Sequence, residues 1–445
     1  MEWIIDISTT IGIFALALLI LVFFHELGHF LAAKLFGMRV ERFSLGFPPR
    51  VWGFKKGDTD YCIGATPLGG YVKISGMIDE SMDTEHLDEE PKPWEYRSKP
   101  VWQRMIVITA GVIFNMILAV LIFGGIAFTS GETKVANDSV QGIYVAESTL
   151  AHNIGFRTGD RIVGVNNQNV TFFNELFSPA QLTESNVTYT VMRNGSQVTV
   201  ALPDSALDQI NQEGFITLGN ALPSRISDVA EGTPAAEAGL QAGDRITAIN
   251  GEPIDYWLQL TQKIQTSEDS VNLTVARNGE TLEYSVALSS DNTIGIYAPD
   301  PNNEFDIQRF RYGVFESLGV GVEKTEEVFT GIIQGFGKMF SGSISVRDNL
   351  GGPVAIASIT KEATDRGGWN GFWNITALLS VTLAIMNILP IPVLDGGHVM
   401  FLLYEGITRK EPSPKVRMAL QQIGFLLIIA LFIFVTFNDI LRQFG

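Results

Sequence analysis

The sequence predicts a multi-pass α-helical membrane protein with four transmembrane helices and two tandem small α+β domains between helices 2 and 3. Four apolar stretches are long enough to cross a bilayer core of about 30 Å. The segment between the second and third stretches contains a sequence that recurs after 84 residues. The 445-residue chain combines a formal charge of −17 with a mean hydropathy of +0.19. This negative charge argues against a nucleic-acid partner, because phosphates attract Lys and Arg.

The apolar stretches run from about Ile11 to Phe36, Val101 to Phe128, Phe372 to Leu394 and Met418 to Ile440. Lys and Arg cluster in the loop after the first stretch and in the short loop after the third. Because cytoplasmic loops carry this bias, we expect those two loops inside the cell and both termini outside. The outward segment 130–369 then holds 15 Lys/Arg against 30 Asp/Glu.

Composition and repetition divide the chain into five predicted parts. They are helices 1 and 2 with their loop (1–129), a first small domain (130–221), a second (222–300), an amphipathic helix with a connecting segment (301–369), and helices 3 and 4 (370–445). The repeat pairs 151–170 with 235–254, and Arg-Asn-Gly hairpin turns follow at 193–195 and 277–279. Apolar residues between 315 and 340 recur every three or four positions, which indicates the amphipathic helix.

The first membrane helix carries HELGH, with His25, Glu26 and His29. Two His residues at i and i+4 share one helical face, so both imidazoles can reach one metal ion. Glu26 is close enough to reach a metal-bound water without being a ligand. Ionisable groups inside a lipid-spanning helix are costly, so a functional role is the default interpretation; the alternative is a polar cluster satisfied by neighbouring helices.

A hydrolytic zinc site usually takes a third protein ligand, and two candidates lie at the inner end of the third stretch. Asp395 is the acid at membrane depth, and His398 follows it. Pro390 and Pro392 break the helix before them, while Gly396-Gly397 permits close backbone approach. Broken backbone at membrane depth is tolerated beside protein or a wet cavity, so water is expected here. Elsewhere the membrane cores offer little polarity beyond Asn115, Asn374 and Asn387.

The loop after the first helix has three parts. Residues 39–57 mix basic and aromatic side chains, as an interfacial anchor would. Residues 64–76 indicate a strand or hairpin with paired glycines, and 79–93 form an acidic linker.

The two repeats resemble the PDZ domains of bacterial periplasmic proteases, in the circularly permuted order that places the ligand-facing strand last. The resemblance implies carboxylate-binding loops at 218–220 and 294–296, with groove residues Gly219, Ile294, Gly295 and Ile296. PDZ grooves bind peptide by strand addition. Two interpretations stay open for these domains: capture of a free C-terminus, or exclusion of bulky substrates.

HExxH in the first helix, with N-x-x-P-x-P-x-L-D-G-G at 387–397, resembles the site-2 proteases, and the likeness covers essentially the whole chain. It implies one Zn²⁺ per chain held by His25, His29 and Asp395, with Glu26 as the base. It also implies that Asn387 holds substrate near the zinc. GGYVK at 69–73 resembles the family's membrane-associated β-loop, and Gly352-Pro353 its Gly-Pro segment.

This resemblance also implies a multi-pass protein of the bacterial inner membrane with a periplasmic PDZ pair and an active site near the cytoplasmic side. Zinc would lower the pKa of a bound water to about 7 and polarise the scissile carbonyl, while Glu26 moves the proton. A substrate helix must unwind before it is cut. An edge strand formed by Gly70, Tyr71, Val72 and Ile74 could hold the unwound chain. The implied substrates are trimmed anti-sigma factors and remnant signal peptides.

Two other functions compete with this prediction. An inactive zinc-binding scaffold would keep the fold and lose the base, but Glu26 is present. A metal transporter would need a polar path through several helices, which the membrane segments hardly supply. A cleavage assay separates both from a protease.

Overall fold

The computed structural model describes residues 2–77, 90–178, 181, 182, 184, 186–213, 215–342, 344, 345, 347 and 351–444. Most of the predicted acidic linker at 79–93 lies outside these residues. The helices are α1 (Glu2–Leu35), α2 (Val101–Ser130), α3 (Leu150–Ile154), α4 (Ala206–Glu213), α5 (Pro234–Ala238), α6 (Trp257–Gln265), α7 (Pro301–Glu304), α8 (Val314–Phe340), α9 (Pro353–Ile388), α10 (Asp395–Thr408) and α11 (Pro414–Phe444).

The strands are β1 (Val40–Lys56), β2 (Thr59–Ile74), β3 (Glu132–Val135), β4 (Arg161–Val165), β5 (Gln168–Asn169), β6 (Thr188–Arg193), β7 (Ser196–Ala201), β8 (Asp228–Val229), β9 (Arg245–Ile249), β10 (Glu252–Pro253), β11 (Ser270–Arg277), β12 (Glu280–Ala287), β13 (Ile296–Tyr297) and β14 (Ile307–Phe310). The chain forms two units. One comprises the described residues of 1–131, 311–333 and 346–445, and the other those of 132–310 and 334–345.

The first unit contains the membrane helices. Among the described residues, four helices are long and apolar enough to cross a bilayer: α1, α2, α9 and α11. This confirms the four predicted spans. Helices α1 and α2 approach closely at Gly28. A Cβ on this residue would lie only 2.4 Å from the Ala110 carbonyl oxygen.

The third span ends earlier than expected. We expected it to run to about Leu394, but α9 stops at Ile388, and Asp395 begins a separate helix, α10. Pro390 and Pro392 explain the difference, since proline has no N–H to continue a helix. Turn bonds hold the intervening segment, including one from the Ile391 N–H to the Leu389 carbonyl at 2.7 Å.

The loop after α1 is a small sheet built from two long, bent strands. Residues 42–45 of β1 lie opposite 60–63 on one side and opposite 70–73 on the other. The end of β2 therefore forms an outer edge, and in the described part of the chain no further strand pairs with it. Its inward side chains Val72 and Ile74 are 8% and 2% exposed and pack in a core with residues of α1 and α2.

The second unit contains the sequence repeat, and both copies fold alike. The first forms a four-stranded sheet of order β5-β4-β6-β7, and the second a sheet of order β10-β9-β11-β12. Short helices α3 and α5 occupy equivalent positions before them, and each copy has its own hydrophobic core. The Arg-Asn-Gly turns connect β6 to β7 and β11 to β12, as their hairpin signal predicts.

A buried ion pair recurs in both copies. Asp160 is fully buried and accepts two hydrogen bonds from Arg193, each 2.7 Å, and one from the Arg157 N–H. Asp244 and Arg277 repeat the pair 84 residues later. The hydrogen bonds to Asp160 raise the pKa of Arg193. The Gly-Asp and Arg-Asn-Gly motifs of each repeat are therefore joined by one contact.

The predicted amphipathic helix is α8. Its first half belongs to the unit that contains the membrane helices. There Gly321 packs on α2, where a Cβ would lie 2.3 Å from the Val120 carbonyl oxygen. Near its other end, the Lys338 ammonium contacts the Glu184 carbonyl at 2.7 Å and Asp204 at 3.0 Å.

Candidate metal centre and active site

The HExxH residues lie on one buried face of α1, as the i, i+4 spacing predicts. The Nε2 atoms of His25 and His29 are 3.2 Å apart, and both residues, like Glu26, are 9% exposed. Two imidazole nitrogens at this distance inside a lipid-spanning helix can converge on one ion.

Asp395 completes the group. Its Oδ2 atom lies 3.3 Å from His25 Nε2 and 3.5 Å from His29 Nε2. The atom is buried and has no hydrogen-bond partner among the described residues. These three side chains could hold one metal ion. His398, the rival ligand, is not part of this group, although it lines the same cavity.

The spacing of the three ligand atoms fits zinc. Tetrahedral zinc sites have Zn–N and Zn–O distances of about 2.0–2.2 Å, which places neighbouring ligand atoms roughly 3.3–3.6 Å apart. The observed separations of 3.2, 3.3 and 3.5 Å lie within about 0.1 Å of that range. A buried carboxylate oxygen without a hydrogen-bond donor is the chemistry expected of a metal ligand.

The backbone of α2 orients the second histidine. The Nδ1 atom of His29 lies 2.8 Å from the Val107 carbonyl oxygen. Because a carbonyl can only accept, His29 carries its proton on Nδ1 and directs the Nε2 lone pair to the metal position. His25 has a different neighbour: the side-chain amide of Asn115, whose Nδ2 is 3.3 Å from His25 Nδ1.

Close backbone approach brings the three segments together. A Cβ on Gly111 of α2 would lie 2.4 Å from His29 Nε2 and 2.7 Å from His25 Cε1. On the other side, Gly396 and Gly397 pack against the broken segment, where a Cβ would lie 2.2 Å from the Leu389 oxygen and 2.4 Å from the Ile391 oxygen. The close approach expected for Gly396-Gly397 is therefore present. The need for a glycine at 111 is a feature that sequence reasoning missed.

A cavity of about 400 Å³ opens beside this group. His25, Glu26, His29 and Asp395 line one part of it, and residues 71–74 of β2 line another. Gly70 allows this sheet edge to approach α1, since its Cβ would lie 3.1 Å from Glu26 Cγ. Asn387 belongs to the same neighbourhood, with Nδ2 3.4 Å from His25 Nε2. The structure thus brings together the candidate ligands, the candidate base and the four candidate β-loop residues.

The candidate groove residues of the repeats lie elsewhere, in the second unit. Gly219 lies in a short 3₁₀ turn, Leu218–Ala221, in which the Asn220 side chain donates to the Tyr144 carbonyl at 3.0 Å. Ile294 is 2% exposed and its side chain packs in the core of the second copy. Gly295 has φ +83°, and Ile296 pairs with Val229.

Sequence reasoning noted Asn115 only as a polar residue in a membrane core and did not identify the Val107 carbonyl, Gly28 or Gly111. The available signal was the pair Ala110-Gly111, two adjacent small residues in a membrane helix. Small residues in membrane helices mark places where backbones approach closely.

Comparison with known proteins places these residues in a family context. The profile of peptidase family M50 matches residues 13–431. The regulator of sigma E protease of Haemophilus influenzae is 33% identical over 97% of this chain and 99% of its own length. The regulator of sigma-E protease RseP of Escherichia coli is 31% identical, over 96% and 98%. A Neisseria meningitidis protein whose assigned name is that of a zinc metalloprotease is 32% identical, over 98% and 100%.

Proposed function

The chain belongs to peptidase family M50 and is an intramembrane zinc protease of the site-2 type, and we propose that it cuts the transmembrane segments of trimmed anti-sigma factors. Two relatives bear the name regulator of sigma E protease, which supports this substrate class. Remnant signal peptides are a second proposed class, because they too are short apolar membrane segments without a bulky outer domain.

We assign the zinc ligands as His25, His29 and Asp395. The main observation behind this assignment is that the three ligand atoms are spaced as in a tetrahedral zinc site and lie beside Glu26 in one cavity. Bound zinc supplies a Lewis acid that lowers the pKa of water to about 7 and polarises a carbonyl. Glu26 accepts the proton of the attacking water and delivers it to the leaving amine.

The edge of β2 is assigned to substrate binding. An unwound substrate segment has free backbone N–H and C=O groups, and the edge at 71–74 offers the complementary row. The edge lines the cavity that contains Glu26, so a strand added there would pass beside the base. Val72 and Ile74 are buried, so they act through their backbone, whereas Asn387 acts through its side-chain amide.

The decisive experiment compares Glu26→Gln with wild type on a synthetic membrane-spanning substrate in detergent micelles. Removing the base without removing a ligand should abolish cleavage and leave one zinc per chain. Undiminished cleavage would overturn the assigned mechanism. Wild-type protein that binds zinc but never cuts would favour the scaffold, and zinc transport by wild-type protein in sealed vesicles would favour the transporter.

We propose an inner-membrane location with both termini and the repeats in the periplasm. The support is the distribution of Lys and Arg, which are concentrated in the loops before α2 and after α10. A reporter that is active only in the periplasm should work when fused near Ser205 and fail near Ser81. The reverse pattern would overturn this orientation.

We propose that the two repeats are PDZ domains that act as a size filter rather than by capturing C-termini. The motifs shared by the two repeats and their resemblance to PDZ domains support this assignment, and an excess of acidic residues disfavours binding of a peptide carboxylate. Deletion of residues 140–298 removes both sheets but keeps the β3–β14 pair that closes the insertion. The deletion should let untrimmed substrates be cut and leave trimmed ones unaffected. Slower cleavage of trimmed substrates alone, or the same loss in Ile296→Asp, would favour capture instead.

A further inference from the structure

We propose that Asn115 is a positioning residue of the metal centre: its side-chain oxygen accepts the Nδ1–H of His25 and thereby holds His25 Nε2 toward the zinc ion. The inference rests on the ligand set proposed above. It adds a side chain from α2 to a site whose ligands come from α1 and α10.

The two histidines differ in what fixes their orientation. The Nδ1 atom of His29 faces a main-chain carbonyl, that of Val107, at 2.8 Å. The Nδ1 atom of His25 faces the Asn115 carboxamide at 3.3 Å. A backbone carbonyl on a packed helix is fixed in place, but a carboxamide offers either an acceptor or a donor. The orientation of His25 therefore depends on a replaceable side chain.

Metal binding decides which end of the amide faces His25. A neutral imidazole that gives its Nε2 lone pair to zinc carries its proton on Nδ1, so its partner must accept a hydrogen bond. In the structure the Asn115 Nδ2 atom faces Nδ1, while Oδ1 is buried without a hydrogen-bond partner among the described residues. Rotation of the amide by 180° exchanges its two ends within nearly the same volume. It breaks no bond made by Oδ1 and creates the Nδ1–H···Oδ1 bond that the zinc-bound tautomer requires.

The position of Asn115 is suited to this role. The residue has no exposed surface, and its own carbonyl oxygen accepts the Ser380 hydroxyl of α9 at 2.7 Å. The backbone at residue 115 is thereby attached to two membrane helices, so the amide can rotate but not move away. A buried amide with an unpartnered oxygen is costly in an apolar core, and the rotation gives this oxygen the His25 Nδ1–H as its donor.

The test measures zinc affinity by chelator competition in the purified full-length chain. Asn115→Leu removes the acceptor at similar volume and should weaken zinc binding about 10- to 100-fold, the usual effect of losing such a partner. Asn115→Asp restores an acceptor and should bring the affinity back to within about threefold of wild type. The matched control is Asn374→Leu, because Asn374 is an exposed residue of α9 whose side chain bonds only to the Asn370 carbonyl in the described structure. The zinc affinity of this control variant should be unchanged.

Thermal unfolding of the zinc-free proteins separates positioning from simple packing. Zinc-free Asn115→Leu should unfold at or above the wild-type temperature, because the substitution removes a buried oxygen that has no partner in the described structure and its loss of affinity is confined to the zinc-bound state. The proposal would be overturned if Asn115→Leu bound zinc with wild-type affinity. It would also be overturned if both Asn115 variants lost a similar amount of affinity and were less stable without zinc. His25→Ala tests the underlying ligand set: if it keeps zinc, the assigned ligands are wrong, whereas zinc loss in His25→Ala with none in Asn115→Leu refutes only the role of Asn115.

Discussion

A single methyl group at Gly111 should disrupt the metal centre. In Gly111→Ala the added Cβ would lie 2.4 Å from His29 Nε2 and 2.7 Å from His25 Cε1, while ordinary Cβ contacts begin near 3.4 Å. The imidazole of His29 or the whole of α2 must therefore move by about 1 Å. That shift is roughly half of a zinc–nitrogen bond length. We expect at least a 100-fold loss of turnover, the usual effect of a 1 Å misplacement at a reacting centre, with a similar loss of zinc affinity.

The assay pairs zinc content with cleavage of a membrane-spanning substrate by purified protein. Gly125→Ala is the matched control, because it lies on the same helix and nothing approaches its added Cβ within 4 Å. Both substitutions gain about 1 kcal/mol of helix propensity, so the control should bind zinc and cut normally. Gly111→Ala with normal zinc content and normal turnover would refute the inferred packing of α2 against the histidines.

Three further outcomes are expected. Asp395→Ala should lower zinc occupancy and His398→Ala should not; the opposite result would show that the wrong third ligand has been assigned. Val72→Pro and Lys73→Pro remove N–H groups that point to opposite sides of β2, and both variants should keep zinc. The variant that loses the N–H on the outer edge of β2 should cut substrate more slowly without loss of expression. Unchanged turnover in both variants would exclude substrate pairing there. Asp160→Asn breaks a buried ion pair and should lower the free energy of unfolding of the first repeat by about 3 kcal/mol. The repeat should then unfold at a lower temperature while the zinc content stays constant. An unchanged unfolding temperature would contradict this expectation.

The sequence predicted those features that depend on local spacing. The four spans follow from the length of apolar runs, and the convergence of His25 and His29 follows from the pitch of a helix. The similar folds of the two repeats follow from their shared motifs. The end of the third span was wrong by about six residues, because apolar character continues past Pro390 and Pro392 although the helix does not.

Local patterns are enough to predict a membrane protein with a histidine pair and an acid at one depth, because periodicity and hydropathy are properties of neighbouring residues. The folded structure adds that Asp395, the ligand that the family resemblance implies, lies beside that pair while His398 is outside the group, that Gly111 makes room for the pair and that β2 lines the cavity beside Glu26. These relations join segments far apart in the chain. They depend on how closely two backbones approach and on which way each side chain points, and no local pattern encodes either.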